Sequence, residues 1–420
     1  MTIDTLDRLE TRPPAERELD LMGRLPHLIA RAQGAPGWAR ILQGVKSSTI
    51  NNRAALAALP VTRKSDLHRL QSELPPLGGL NTTPVGELSR VFMSPGPIFD
   101  PQGRGRDWWR FARPLYAAGA RTGGLVQNCF SYHFTPAAFM VEDGAARIGC
   151  AVIPAGSGQT EMQVQAISEL KPDTFAGTPS FLKIIIEKAR EMGADIGSIK
   201  QALVSAESLP DSLRAWFAEN GIANVCQAYA SADAGSIAYE TRSGGQLNPG
   251  MVLDEDVLLE IVHPGTGDPV AHGEIGEVLV TVFNFDYPLI RFATGDLSAE
   301  LTGMPPSPCG RTNTRIRGWL GRADQITKVR AMFVHPSQVN EIVRRHPEIL
   351  KARLVISGRM AQDEMTLHCE VDDPHAAGGR AQAIVGSIRE LTKLRGEVRF
   401  VPRGSLPGDG KIIEDARDYS

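Results

Sequence analysis

Between Glu16 and Ala32 the apolar residues Leu19, Met22, Leu25, Leu28, Ile29 and Ala32 recur at three- and four-residue spacing, which predicts an amphipathic helix with one buried stripe. Pro26 is expected to kink or split that helix, and Gly34 followed by Pro36-Gly37 ends it. A short helix is predicted over Lys64–Leu70, after the break at Pro60. Further on, short apolar runs alternate with helix-like stretches. The runs Leu125–Cys129, Ala151–Ile153, Thr174–Ala176, Ala202–Val204 and Val225–Ala228 predict strands. Between them, Ala137–Ile148, Thr160–Leu170, Ser180–Met192 and Asp211–Glu219 predict helices. This alternation predicts a mainly parallel sheet wrapped by helices. Val257–Val262 and Glu277–Val282 flank the glycine-rich Pro264-Gly265-Thr266-Gly267 and predict an antiparallel pair. Beyond residue 322 the pattern resets to a helix Pro336–Arg345, strands Ala352–Ile356 and Met365–Val371, a helix Ala381–Leu394 and a strand Glu397–Val401. A boundary near Asp324 therefore divides the chain into a large N-terminal α/β domain (residues 1–323) and a small α+β domain (residues 324–420).

At 420 residues and 42% apolar content the chain is long enough to bury a sizeable core without disulfides or structural metal. With 45 basic and 48 acidic residues, the net charge of −3 gives no general pull toward nucleic acid or anionic membranes. No apolar run approaches the roughly 20 residues needed to span a bilayer, and the first residues lack an apolar signal core. Five cysteines (Cys129, Cys150, Cys226, Cys309 and Cys369) are scattered without a CxxC pair, as expected of a reducing compartment. A cytoplasmic protein acting on small molecules is the expectation.

Four segments place polar residues and glycine where apolar runs end: Ala228–Asp233 (AYASAD), Tyr287–Asp296 (YPLIRFATGD), Gly321–Arg330 (GRADQITKVR) and Leu406–Lys411 (LPGDGK). Taken singly, each has an ordinary structural explanation. An aromatic after a strand is usually packing, TGD is usually a tight turn, and a lysine near a C-terminus is usually solvated. Their joint order is far less expected by chance.

In that order, together with AGTPSFLKIIIEKA (Ala176–Ala189), VSAESLPDSLR (Val204–Arg214) and the run from CGRT (Cys309–Thr312) to VHPSQVNEI (Val334–Ile342), the chain resembles the phenylacetate–CoA ligase branch of the adenylate-forming superfamily. The similarity runs from Leu25–Trp38 to Gly410–Ile412. The resemblance implies ATP-dependent activation of a carboxylate to an acyl-adenylate, release of pyrophosphate and transfer of the acyl group to CoA. It also implies a C-terminal domain that rotates between the two half-reactions, with the active site in the cleft between domains.

Carried over residue by residue, Tyr229 matches the aromatic that stacks on adenine, a task any π-face can perform. Ser205, Ala206 and Glu207 match the segment lining the adenine pocket, with Ala230 next to the stacking residue. Asp296 matches the carboxylate that accepts hydrogen bonds from both ribose hydroxyls. Arg322 stands where the family places an arginine near the nucleotide, and Asp324 at the hinge position. Lys411 matches the lysine that reaches between the carboxylate and the α-phosphate, where a cation neutralises developing charge. Asp233 stands where the family motif, YGxSE, has Glu, and is expected to help hold Mg²⁺ with a side chain one methylene shorter. Tyr132, His133, Phe134 and Phe139 with the Gly177 loop match the acyl pocket and suit an aryl or aryl-alkyl acid, although any one of them is equally well explained as core.

The sequence departs from the family where phosphate is gripped. A loop resembling SSGTTGKP presents consecutive backbone N–H donors in the family, whereas here the stretch reads SPGPIFDPQGRGRDWW (Ser94–Trp109). Pro95, Pro97 and Pro101 each delete a donor, and Asp100 adds negative charge. With Ser94, Gly96, Gly103 and Arg104 as the phosphate-loop candidates, two readings stay open: Gly103-Arg104-Gly105-Arg106 gives a substitute grip with arginines for N–H groups, or the β- and γ-phosphates are no longer held. Ser307-Pro308-Cys309-Gly310 lacks a thiolate that relatives supply, so no zinc is expected. Ala331 replaces a glycine that lets the CoA arm pass, narrowing the tunnel by one methyl.

The expected function is thus an AMP-forming acid–CoA ligase for an aromatic or hydrophobic acid, using ATP, Mg²⁺ and CoA. Its expected partners are those small molecules, with a homodimer as the oligomeric form to test and neither nucleic acid nor membrane. Two alternatives are an adenylating enzyme that passes the acyl group to a carrier-protein thiol or an amine, and a nucleotide- or acyl-adenylate-binding protein without ATP turnover.

Overall fold

The computed structural model describes residues 4–94, 97–207, 209–323, 327–330, 332–334, 336–359, 362–374, 378–407 and 411–417. The chain divides into two units, residues 1–320 and 321–420, three residues short of the expected boundary.

In the first unit the opening helix runs unbroken over Pro14–Gln33, through Pro26, with proline at its first turn where no N–H partner is needed. Its buried stripe is Leu21, Met22, Leu25, Leu28, Ile29 and Ala32. Leu19, expected in that stripe, points outward and is 76% exposed, because Leu21 occupies the position one turn before Leu25. The short helix expected over Lys64–Leu70 is a 3-10 turn, Lys64–Asp66, leading into the helix Leu67–Glu73.

An eight-stranded sheet forms the body of this unit. Ala151–Ile153, Leu125–Asn128, Thr174–Gly177, Gln201–Val204 and Asn224–Ser231 pair in parallel, in that spatial order. The sheet continues antiparallel through Gly235–Ser243 and Gln246–Leu253 to Arg315–Ile316, an extension added to the expected parallel body. The antiparallel extension was hidden from the hydrophobic pattern because GSIAYETRS and QLNPGMVL break alternation with glycine, proline and polar residues. The helices between the parallel strands start and stop where chain chemistry dictates. Thr178 caps the helix Pro179–Met192 by accepting the Phe181 N–H at 3.2 Å, and Pro179 follows at the first turn. A second sheet runs in the order Thr62–Arg63, Leu289–Ser298, Gly276–Val282 and Val257–Val262, and carries the YPLIRFATGD segment.

The stretch Arg90–Gln102 is a β-hairpin, with Arg90–Ser94 antiparallel to Ile98–Gln102 and Ser94 opposite Ile98. A glycine-rich nest is replaced by ladder pairing, in which Pro97 sits at the turn and Pro101 on the second strand. Both sides of Gln71 grip this strand: its Oε1 accepts the Phe99 N–H and its Nε2 donates to the Phe99 carbonyl, each at 2.8 Å.

The second unit has a four-stranded sheet in the order Glu397–Pro402, Gln362–Val371, Lys351–Arg359 and Ile413–Asp415. The helices Pro336–Arg345 and Ala381–Thr392 bury Val339, Ile342, Ile384 and Ile388 with Leu354, Ile356 and Leu367 of that sheet. Among the described residues no helix is long and apolar enough to cross a membrane.

Candidate functional site

Tyr229 lies near the end of the strand Asn224–Ser231, and a bulge between Tyr229 and Ala230 re-aims the side chains there. The buried phenol donates to Asp296 Oδ2 at 2.9 Å, and the indole of Trp319 donates to Asp296 Oδ1 at 3.0 Å. Thr294 Oγ1 sits 3.3 Å from the same phenol. The expected adenine and ribose residues are therefore brought together, and each oxygen of Asp296 is oriented by a donor. Trp319 carried no recognisable signal in the sequence.

Ser205 joins this group by donating its hydroxyl to the Ala228 carbonyl at 2.8 Å. Ala206 adopts φ +70°, left-handed backbone that a β-carbon disfavours by about 1–3 kcal/mol. Glu207 accepts the Ser180 N–H at 3.2 Å, and its carbonyl accepts the Gln227 amide at 2.8 Å. The 205–207 turn is thereby tied to the helix that begins at Pro179 and to the Tyr229 strand.

Asp233 is at the tip of the antiparallel turn between Ser231 and Gly235, its side chain buried. Arg110 braces that turn by donating to the carbonyls of Ala234 and Ser236. Lys64 Nζ lies 2.5 Å from Asp233 Oδ2. Asp100, buried on the hairpin, hydrogen-bonds Asp233, and burial together with the Asp233 charge holds its carboxyl well above the usual carboxylate range. Lys64 and the Ser94 hydroxyl act in the opposite direction. Burial and these two carboxylates also raise the Tyr287 phenol well above its ordinary value. The sequence marked Asp100 as a charge in an unexpected place. It did not pair it with Asp233, and it passed over Lys64 because a lysine after a strand has no spacing to identify it.

Of the hairpin residues, Ser94 is buried and also donates to the Ile98 carbonyl at 3.3 Å. Gly103 admits no side chain, since a Cβ there would collide with the Asp286 carboxylate and the Trp108 indole that donates to it. Arg104 donates to the Glu87 carbonyl at 2.8 Å, and Arg106 to the carbonyls of Ala146 and Arg147, so both guanidiniums are engaged with backbone. Gly96, the hinge Asp324 and the tunnel residue Ala331 lie outside the described residues.

The aromatic segment divides. Tyr132 packs edge-on to Phe139 (5.3 Å between centroids), its hydroxyl accepting from Asn128 and donating to Glu142 at 2.8 Å. His133 and Phe134 are exposed and meet edge-to-face, with Phe134 at φ +63°. Gly177 ends its strand against the Phe175 ring and Cys129, where a β-carbon has no room. The Cys309 thiol is raised by burial, but hydrogen bonds with Ser307, Thr241 and Arg311 outweigh this and lower it from its ordinary value. Arg322 and Lys411 belong to the second unit. Arg322 is half-buried, and Lys411 is exposed, two residues before the strand Ile413–Asp415.

Asp107 caps the helix Ala112–Ala118 by accepting the Phe111 N–H at 2.8 Å. Its carboxyl is pushed up to about 7, chiefly by burial, against the pull of those backbone donors. A carboxyl raised in the folded state stabilises most below its unfolded pKa, and that contribution is lost as pH rises through about 4 to 7. Asp107→Asn should remove this slope, making thermal stability flatter between pH 5 and pH 8 by about 1–2 kcal/mol relative to the parent, checked by melting at both pH values.

Comparison with known proteins places these features in context. A family model described as AMP-binding enzyme matches residues 119–282. The phenylacetate–coenzyme A ligase of Thermus thermophilus is 29% identical over 385 residues, covering 87% of this chain and 84% of that protein. The phenylacetate–coenzyme A ligase of Escherichia coli is 26% identical over 433 residues, covering 98% and 97%. Among solved structures, a 2-hydroxyisobutyryl-CoA ligase in complex with 2-HIB-AMP and CoA superposes with a TM-score of 0.83 at 26% identity, covering 98% of this chain and 92% of that one.

Proposed function

The chain belongs to the phenylacetate–CoA ligase-like branch of the adenylate-forming enzymes, and from that premise we propose that it joins an aromatic or other hydrophobic carboxylic acid to CoA. In the first step a carboxylate oxygen attacks the α-phosphorus of ATP and the bond to pyrophosphate breaks. In the second the CoA sulfur attacks the acyl carbon, its proton is lost to solvent and AMP leaves.

The observation that carries this reading is the buried Tyr229–Asp296 pair, beside the 205–207 turn, with both carboxylate oxygens oriented by donors. The Tyr229 ring offers a platform for adenine, and Asp296 accepts the two ribose hydroxyls. Ser205, Ala206 and Glu207 border the base. Lys411, carried by the second unit, supplies the cation for the charge that builds on the α-phosphate during adenylation. Arg322 approaches the nucleotide, and Asp324 is the hinge. Asp233 is a hard oxygen ligand suited to Mg²⁺, which when bound shields the negative charge of the phosphates. The aromatic run through Tyr132, Phe139 and Phe92 supports an apolar acyl group. Two relatives named for phenylacetate point the same way, while the one named for 2-hydroxyisobutyrate extends the range to small branched acids.

Incubation with ATP, Mg²⁺, CoA and pooled aryl and branched carboxylates, read by mass, tests this. Acyl-CoA formed in step with AMP is the expected result. ADP in place of AMP, or AMP with no acid dependence, would refute it. Acid-dependent AMP without acyl-CoA, with the acid trapped as its hydroxamate in a parallel reaction containing hydroxylamine, would transfer the assignment to another acceptor.

A further inference from the structure

Resting on the nucleotide site just proposed, we infer that Arg110 is a positioning residue for adenylation, holding the turn that carries Asp233. The segment Ser94–Trp109, which departs from a phosphate loop, then serves the reaction through the residue that follows it. Arg110 Nη2 donates to two carbonyls of the turn, those of Ala234 and Ser236, the second at 3.1 Å. The neighbouring Trp109 carbonyl accepts the Ser236 N–H at 3.0 Å. Arg110 Nε ion-pairs with Asp254 Oδ1 at 3.3 Å. Asp254 is fully buried and shared with Arg113, also at 3.3 Å, and Arg113 reaches Asp7 at 3.0 Å. The main-chain N–H of Asp254 donates to the Ile237 carbonyl at 2.8 Å, just past the turn.

Strain and burial both mark a functional constraint rather than plain packing. Arg110 has φ +61°, left-handed backbone that a β-carbon disfavours and that persists where the surroundings over-determine it, as at active sites. Its guanidinium is buried, and a planar fork serves two carbonyls and a carboxylate together, which the point charge of a lysine does not. In the proposed reading Asp233 serves the phosphates, which react only in the first half-reaction. A loosened turn should therefore impair adenylation and spare transfer of the acyl group to CoA. A misplacement of about 1 Å is enough to lower a rate by about 10²-fold.

The test separates the half-reactions in the full-length protein. Adenylation is read as single-turnover formation of acyl-AMP, using whichever acid of an aryl and branched carboxylate pool the parent activates fastest. Transfer is read by supplying the synthetic adenylate of that acid with CoA. Arg110→Lys should lower the adenylation kcat by about thirtyfold, with the KM for ATP and the transfer rate each moving less than about threefold. Asp254→Asn, which keeps the guanidinium but loosens it, should show the same split at about five- to tenfold. It carries the test alone if the lysine variant does not fold. Arg311→Lys, whose guanidinium pairs with buried Glu10 rather than with the turn, is the structural control and should lower both half-reactions alike or neither. Equal losses in both half-reactions, or undiminished adenylation, in folded Arg110 and Asp254 variants of an active parent would overturn the inference alone. A parent that adenylates no acid of the pool would overturn the nucleotide reading and this inference together.

Discussion

Replacing Lys411 with alanine is expected to lower acid-dependent adenylation by about 10²–10³-fold, the usual effect of deleting a preorganised group that meets charge developing in a transition state. AMP affinity should change by less than about threefold, because a group that acts on the transition state contributes little to ground-state binding. The side chain leaves the backbone beside a firmly held strand: Ile413 is buried and pairs in parallel with Leu354. A lysine starting from such an anchor has four methylenes of reach and a defined origin. Single-turnover formation of the acyl-adenylate, with AMP calorimetry alongside, separates the two effects. Equal loss of adenylation and of AMP affinity would mean that Lys411 binds nucleotide rather than serving chemistry. Undiminished adenylation would remove it from the mechanism.

Asp296→Ala should weaken AMP binding by about 10²-fold. Hydrogen bonds to a charged acceptor contribute about 1.5–3 kcal/mol each, and a ribose offers two. The same change leaves the Tyr229 hydroxyl and the Trp319 indole without their acceptor, so thermal stability should fall by about 1–3 kcal/mol as well. Asp296→Asn keeps one carbonyl acceptor and should fall between the parent and the alanine variant in both measurements. An alanine variant that melts lower but binds AMP as the parent does would make Asp296 a structural anchor for Tyr229 and nothing more.

Much of the architecture was legible because the parallel strands and their helices follow simple periodicity. Ala137–Ile148, Thr160–Leu170 and Asp211–Glu219 begin and end where the apolar pattern does. The antiparallel strands Gly235–Ser243 and Gln246–Leu253 were not, since their burial comes from neighbouring elements rather than from alternation in their own residues. At the site, Tyr229 and Asp296 could be read from motif order alone, although they lie 67 residues apart and meet only through two different sheets. Lys64 and Trp319 could not, because their contacts follow no spacing rule. The stretch from Ser94 was legible as a departure but not as a hairpin. Its prolines delete N–H donors, yet Pro97 and Pro101 sit where ladder pairing tolerates them, and only the fold turns Asp100 inward to Asp233.

The central claim is that this chain makes an acyl-adenylate from ATP despite the altered phosphate segment. Acid-dependent exchange of radiolabelled pyrophosphate into ATP, run with Mg²⁺ and pooled aryl and short-chain acids in the absence of CoA, tests it most directly. Exchange that appears only with acid, with splitting of the active pool leading to the substrate, is the predicted result. No exchange with any pool, from protein that binds AMP tightly and gains nothing from ATP or Mg²⁺, would contradict the claim and leave a nucleotide-binding protein that has kept the adenosine site without the reaction.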